Sequence, residues 1–318
     1  MKNKRKTTLW TKLYSVILIL FTLFVLLDTF IIPRAYVVVE AEQNISTITS
    51  SESSSLGFES TETTETVAAS DIVSTENSYS DGNISIKLTN YRECDTDIYV
   101  AEVTVSNAAY LETAFAKGTF GKNVTEKTSD IAAESNAILA INGDYYGTQN
   151  SGFVIRNGVL YRETVSDSEQ EDLVIYEDGT FEIIKEGSIS ASELLDNGAV
   201  QVFSFGPGLI EDGQITVTEN DEVDKAKTSN PRTAIGQIDE LHYVFVVSDG
   251  RTDESTGLSL IQLAEFLQNL GVKTAYNLDG GGSSTMVFNG TVINNPTTDG
   301  NNIKERSVSD IVCIGYQS

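Results

Sequence analysis

Asn277-Leu278-Asp279-Gly280-Gly281-Gly282-Ser283-Ser284-Thr285-Met286 is the stretch on which the reading of this chain turns. It lies between two strand-like runs, residues 272–277 and 285–289. Three consecutive glycines bring no side chain to a core and cost conformational entropy when they are ordered. A folded domain keeps such a run where the backbone takes positive φ or where another group approaches closely. Asp279 enters the glycines, and the hydroxyls of Ser283 and Ser284 leave them. That arrangement suits a polar ligand held against backbone N–H groups. The same residues also read as an ordinary glycine turn capped by its own hydroxyls.

Three further polar clusters follow or open apolar strand-like runs: Asn142-Gly143-Asp144-Tyr145-Tyr146, Asn230-Pro231-Arg232-Thr233 and Ser248-Asp249-Gly250-Arg251. Ligand sites form where such strand ends meet at one edge of a sheet. Each cluster alone is also ordinary turn chemistry, because turn residues and site residues overlap in type. The glycine stretch precedes a strand and has no following Lys, so neither a phosphate-binding P-loop nor a dinucleotide fingerprint fits.

Around these clusters the chain reads as short strands joined by tight turns. Residues 84–88 and 98–106 alternate like half-buried strands. Type I′ turn signals at Asn157-Gly158 and Asp178-Gly179 mark hairpins over residues 153–162 and 173–184. Further turns are expected at Asp212-Gly213 and Asn289-Gly290. Residues 242–247 are almost wholly apolar, as a central strand buried on both faces would be. Helices are expected over 125–136, over 190–196 with Ser190 and Glu193 at capping-box spacing, and over 258–270. In the last of these Leu260, Leu263, Ala264, Leu267 and Leu270 form one apolar face, and Gly271 stands where a C-cap glycine belongs. The pattern predicts an α+β domain, residues 82–318, built on a mixed, strongly twisted sheet with several hairpins and a few packed helices.

The N-terminal part differs in composition. Lys2, Lys4, Arg5, Lys6 and Lys12 form a basic tail over residues 1–12, ahead of an apolar run at 13–32 closed by Pro33-Arg34. About 20 apolar residues suffice to span a bilayer. The basic flank would stay in the cytoplasm, which puts the remainder outside the cell as a single-pass anchored protein. A cleaved signal peptide is the alternative. Residues 33–81 are expected to form a stalk; from Ala41 to Ser80 it is rich in Ser, Thr and Glu, has no Lys or Arg, and cannot repay the entropy of ordering.

With 46 acidic against 21 basic residues and a net charge of −25, the chain is a poor match for nucleic acid. The single histidine, His242, opens an apolar run and reads as structural, so Ser-His-Asp and multi-histidine metal chemistry are poorly supported. Cys94 and Cys313, each in a strand-like run, read as free buried thiols, with a disulfide between the ends of the domain as the minority reading. Asp249, Asp253 and Glu254 offer oxygens to calcium, but not at EF-hand spacing, so no cofactor is expected, with calcium as the alternative.

Taken together, Ala140-Ile141-Asn142-Gly143-Asp144-Tyr145-Tyr146, Ser204-Phe205-Gly206-Pro207-Gly208, Asn230-Pro231-Arg232-Thr233-Ala234-Ile235-Gly236, Val247-Ser248-Asp249-Gly250-Arg251 with Ser255 and Gly257, and residues 277–284 resemble the phosphodiester glycosidase family. The resemblance runs from about Gly82 to Ser318. It implies hydrolysis of a sugar-1-phosphodiester, here in a surface glycan or exopolysaccharide. Phosphate is a good leaving group, so the reaction leans less on a strong general acid than ordinary glycoside cleavage does. It needs a carboxylate to attack, to stabilise positive charge or to activate water, and cations with N–H groups to hold the departing phosphate. Asp144, Asp249 and Asp279 are the candidate carboxylates. Arg232 and Arg251 offer bidentate phosphate contacts, with Asn142, Asn277, Gly280, Gly281, Gly282, Ser283 and Ser284 completing the substrate cradle. A glycan-binding surface protein that keeps the pocket without turnover is the alternative.

Overall fold

A computed structural model describes residues 72–218, 221 and 229–316, together with Tyr14. Apart from Tyr14, the apolar run at 13–32 lies outside the described residues, as do residues 33–71 of the stalk and most of the polar loop at 219–229. Among the described residues no helix is long and apolar enough to cross a membrane.

Three sheets share one interior. The largest has nine strands in the spatial order Val73–Ser74, Ser78–Ser80, Ile84–Glu93, Thr96–Val105, His242–Ser248, Arg232–Asp239, Thr274–Leu278, Gly208–Glu211 and Gln214–Ile215. A second runs Phe181–Lys185, Glu171–Tyr176, Ala199–Phe203, Val154–Arg156, Val159–Arg162. The third runs Thr291–Val292, Met286–Phe288, Leu139–Asn142, Asp310–Ile314, Leu111–Phe115. Every pairing among these strands is antiparallel, which corrects the expectation of a mixed sheet. Parallel pairs need long crossovers, and eight of the sixteen pairings join strands that follow one another in the chain through turns too short for one.

Alternation decides what each face buries. In the central strand His242–Ser248, Tyr243, Phe245 and Val247 point into the interior shared with Leu139, Ile141, Met286 and Phe203. Val244 and Val246 point the other way, against Leu260, Leu263, Phe266 and Leu267 of the helix Leu260–Asn269. Both faces of that strand are therefore dry, as its unbroken apolar run requires. The helix begins at a reciprocal capping box of Ser259 with Gln262 and ends before Gly271 at φ +83. Each fully buried Leu or Phe on its inner face stabilises the fold by about 1.5–3 kcal/mol. The other sheets carry a helix in the same manner: Ile131 and Ala132 of Thr128–Glu134 cover Ala140 and Ile311, and Leu194 of Ala191–Asp196 covers Phe153 and Val202.

Local expectations fail at three places. Among the described residues, strands are already present ahead of Gly82, at Val73–Ser74 and Ser78–Ser80: Ser78–Ser80 pairs with residues 85–87, and Tyr79 donates to the Asp81 carboxylate at 2.6 Å. Cys94 is exposed and occupies the turn Cys94-Asp95, both residues at positive φ, while Cys313 is buried; neither is in a disulfide. At Asp178-Gly179 only the glycine has positive φ, so the turn is not type I′. The Gly179 carbonyl there accepts from Gln237 Nε2 and Tyr243 Oη, and these contacts fix the loop from outside the hairpin.

Candidate functional site

Antiparallel register brings the polar clusters to one edge of the large sheet. Arg232 pairs with Ser248, and Thr233 with Leu278, so the start of one strand lies beside the ends of two others. Asn142, at the end of a strand in the third sheet, ties them together from beneath. Its Nδ2 donates to the Asp279 carbonyl at 2.6 Å, and its Oδ1 accepts from Thr233 Oγ1 at 2.9 Å and from the Thr285 amide at 3.2 Å. Asn142 is wholly buried and acts on the scaffold.

Above this knot opens a cleft of about 730 Å³. Asp279, Gly280 and Gly281 line it together with Arg232, Arg251 and Arg306. Asn230, Asn277, Gly206 and Pro207 continue the lining toward Phe205 and residues 169–171. Arg306 did not figure among the sequence candidates. It precedes the last strand in a loop with no hydrophobic period, and its one signal was a cation in an acidic chain.

Arg306 organises the glycine loop. Its Nη2 meets Asp279 Oδ2 at 3.0 Å and Ser283 Oγ at 2.6 Å, and its Nε donates to Ser283 Oγ at 2.9 Å. Burial pushes the Asp279 carboxyl above the usual carboxylate range, against the opposing pull of Arg306 and of the Ser283 hydroxyl. The outcome is a nearly enclosed carboxylate with weakened acidity, which makes it a better proton acceptor.

The glycines serve close approach more than an open amide cradle. Gly281 sits at φ +61, and a β-carbon there would lie 2.8 Å from Arg251 Nη2. Its amide donates to the Pro231 carbonyl at 2.8 Å and is thereby engaged within the protein. Gly282, Ser283 and Ser284 are buried behind the lining. Ser283 reaches the cleft only through Arg306.

Arg251 has φ +65, a strained setting for a non-glycine residue. Its Nε and Nη2 donate to Asn230 Oδ1 at 3.2 and 3.1 Å, and its Nη1 donates to the Thr298 carbonyl at 2.8 Å. Burial and the neighbouring Arg306 charge both push its pKa down. Two guanidinium groups that repel each other at one cleft form a natural seat for an anion. Arg232 is nearly buried, with Nε donating to the Leu258 carbonyl at 2.8 Å.

The other two candidate carboxylates lie elsewhere. Asp144 is enclosed by Arg156 Nη2 at 2.9 Å, the Tyr146 amide at 3.0 Å and the Ser204 amide at 3.1 Å. The same Arg156 nitrogen holds Asp310 at 2.9 Å, and one cation serves two buried carboxyls. Burial pushes Asp310 up to about 8 despite that pairing. Asp249 accepts from the Asn295 amide at 2.8 Å, from the side chains of Asn294 and Asn295 at 3.2 and 2.9 Å, and from Tyr99 Oη at 3.3 Å. It anchors the loop that leads to Arg306 and does not line the cleft. Asp253 and Glu254 are exposed, and among the described residues no three His, Cys, Asp or Glu side chains gather as a metal site would require.

Residues 135–315 match the family model described as phosphodiester glycosidase. The chain is 33% identical over 205 residues to the N-acetylglucosamine-1-phosphodiester alpha-N-acetylglucosaminidases of mouse and human, over 58% of this chain and 39% of theirs. It is 30% identical over 201 residues to an SPbeta prophage-derived protein of Bacillus subtilis, over 62% of this chain and 31% of that one. It therefore spans between 31 and 39% of the length of these relatives. The zebrafish enzyme's catalytic domain, auto-inhibited by its pro-peptide, has a similar fold: TM-score 0.60 at 24% identity, covering 74% of this chain and 83% of that one. The family match takes in every strand end and loop that builds the cleft, and the chain belongs to the phosphodiester glycosidase family.

Proposed function

We propose that this chain hydrolyses a sugar-1-phosphodiester, with Asp279 as the working carboxylate and Arg232, Arg251 and Arg306 around the phosphate. The observation that carries this reading is a carboxylate of raised pKa lining the same cleft as three guanidinium groups, in a chain of net charge −25. Asp279 takes a proton from water as its oxygen attacks the anomeric carbon. The bond from that carbon to the phosphate oxygen breaks, and its electron pair leaves with the phosphate monoester. Guanidinium groups suit that developing charge because they present paired donors to two oxygens. Asp279 and Arg232 are themselves largely buried, and a lowered local dielectric strengthens such contacts.

The mouse and human relatives, N-acetylglucosamine-1-phosphodiester alpha-N-acetylglucosaminidases, make that sugar the first to test. The full chain is expected to release free sugar from an N-acetylglucosamine-1-phosphodiester. Asp279→Asn should lower kcat/KM by about two to three orders of magnitude while leaving the unfolding curve in place. Saturable binding without sugar release would instead identify a glycan-binding module. The basic tail and the apolar run support a membrane-anchored domain outside the cell, acting on a surface glycan or exopolysaccharide. Protease added to intact cells should then release a soluble fragment, and protection of the whole chain would rule that location out.

A further inference from the structure

The cleft changes character along the strand ends. In sheet order, its residues run from Arg251 and Arg232 to Asn277 and Asp279, then to Gly206 and Pro207 beside the Gly208–Glu211 strand. The guanidinium groups stop where Asn277 begins. The Asn277 side-chain nitrogen donates to the Gly206 carbonyl at 2.7 Å, a contact that only the NH2 end of the amide can make. The amide oxygen is thereby fixed in direction, and it is buried without a hydrogen-bond partner among the described residues. Asn277 is 4% exposed. Such an orphaned acceptor costs about 1–3 kcal/mol unless a donor reaches it. A fully ionised phosphate has no donor to offer, whereas a sugar hydroxyl or an acylamino N–H has one.

Glu171 lines the same cleft and is fastened to the Asn277 strand through Tyr276. Its Oε2 accepts from the Gly208 amide at 2.9 Å. Its carbonyl accepts from Tyr276 Oη at 2.7 Å, and that hydroxyl accepts from the Phe205 amide at 2.8 Å. Tyr276 immediately precedes Asn277, so the second sheet is tied to the large one at this point. The carboxylate is held by the Gly208 amide and makes no direct ion pair among the described residues, with Lys185 lying opposite it on the adjacent strand. Phe205 adds an apolar surface beside it, and the end of the cleft away from the arginines thus offers acceptors and an aromatic ring.

We propose that Asn277 Oδ1 and the Glu171 carboxylate accept hydrogen bonds from the sugar, so that the cleft reads a sugar phosphate by both halves. This rests on the sugar-phosphodiester reading above and adds the residues that distinguish a sugar phosphate from phosphate alone.

The test is calorimetric binding to the full chain, with inorganic phosphate and with the α-1-phosphates of N-acetylglucosamine, glucose and galactose as probes. Wild type is expected to prefer at least one sugar phosphate over inorganic phosphate by about tenfold or more. Glu171→Gln keeps an acceptor for the Gly208 amide and removes the charge. It should erase most of that preference while holding phosphate affinity within about twofold. Asn277→Ala should act in the same direction. The inference is overturned if wild type binds inorganic phosphate as well as every sugar phosphate, or if Glu171→Gln weakens inorganic phosphate in parallel. A clear preference in a chain that releases no sugar would leave this inference standing and remove the hydrolase reading. Sugar release with an unchanged preference in Glu171→Gln would do the reverse.

Discussion

Arg156 and Arg306 hold their aspartates at nearly the same distance, 2.9 and 3.0 Å, in quite different surroundings. The Arg156 side chain is 1% exposed, packs over the Phe203 ring, and lies between the two buried carboxyls of Asp144 and Asp310. The Arg306 side chain is 38% exposed at the mouth of the cleft. A buried ion pair lends little net stability, because desolvation offsets attraction, yet removing one partner is severe. A pair at a cleft can be rearranged by a ligand. The same chemistry thus joins sheets at one place and remains available to a substrate at the other.

The largest expected effect comes from breaking the buried assembly. Arg156→Met keeps much of the side-chain volume but leaves Asp144 and Asp310 without their cation. A loss of about 3–5 kcal/mol in urea unfolding at neutral pH is expected. Lowering the pH should recover part of it, because a protonated Asp310 no longer needs the guanidinium. With Asp310 pushed up to about 8 even in the intact assembly, the stability linked to its proton is fully present below the ordinary carboxyl pKa. It is lost as the pH rises through about 8. An unfolding midpoint equal to wild type would mean that the assembly is incidental to the fold.

This contrast was not legible in the sequence. Asp144 and Asp279 each follow an apolar strand and a residue of Asn or Gly sits close by, so local pattern gives them equal claims. What separates them is Arg156, which stands beside the Asn157-Gly158 turn where an arginine usually faces water. Strands, turns and the long helix could be read because alternation, positive-φ residues and caps act over a few residues. The division into three sheets depends on pairings such as Tyr243 with Val103, far apart in the chain and unmarked in either segment. Glu171 escaped notice for the same reason, since only the fold brings it into the same cleft as Asn277.

A second test asks whether Arg232 belongs with the structural or the ligand-facing arginines. It is 6% exposed and gives Nε to the Leu258 carbonyl, which fixes the plane of the guanidinium. Arg232→Lys preserves charge but loses the planar pair of donors. The expected loss on a sugar phosphodiester is about 1–3 kcal/mol of transition-state binding, read from kcat/KM. A sugar carrying a neutral, highly activated leaving group should suffer much less. Equal losses on both substrates would assign Arg232 to the scaffold and leave the phosphate to Arg251 and Arg306.

The smallest effect sharpens the comparison at the cleft itself. Burial raises the Asp279 pKa and Arg306 opposes the rise, so Arg306→Gln should move the carboxyl further up. If ionised Asp279 accepts the proton from water, the acid limb of the kcat/KM profile must shift to higher pH in the variant. Stability carries the same sign. A carboxyl raised by folding contributes stability that is complete below its unfolded pKa and fades as the pH passes the folded value. The variant should therefore differ little from wild type in acid and fall further behind it toward alkaline pH. An acid limb that stays in place, or moves down, would separate Arg306 from the ionisation that drives the reaction. The Arg306 contacts with Ser283 Oγ would then be its main task, as a clamp on the glycine loop.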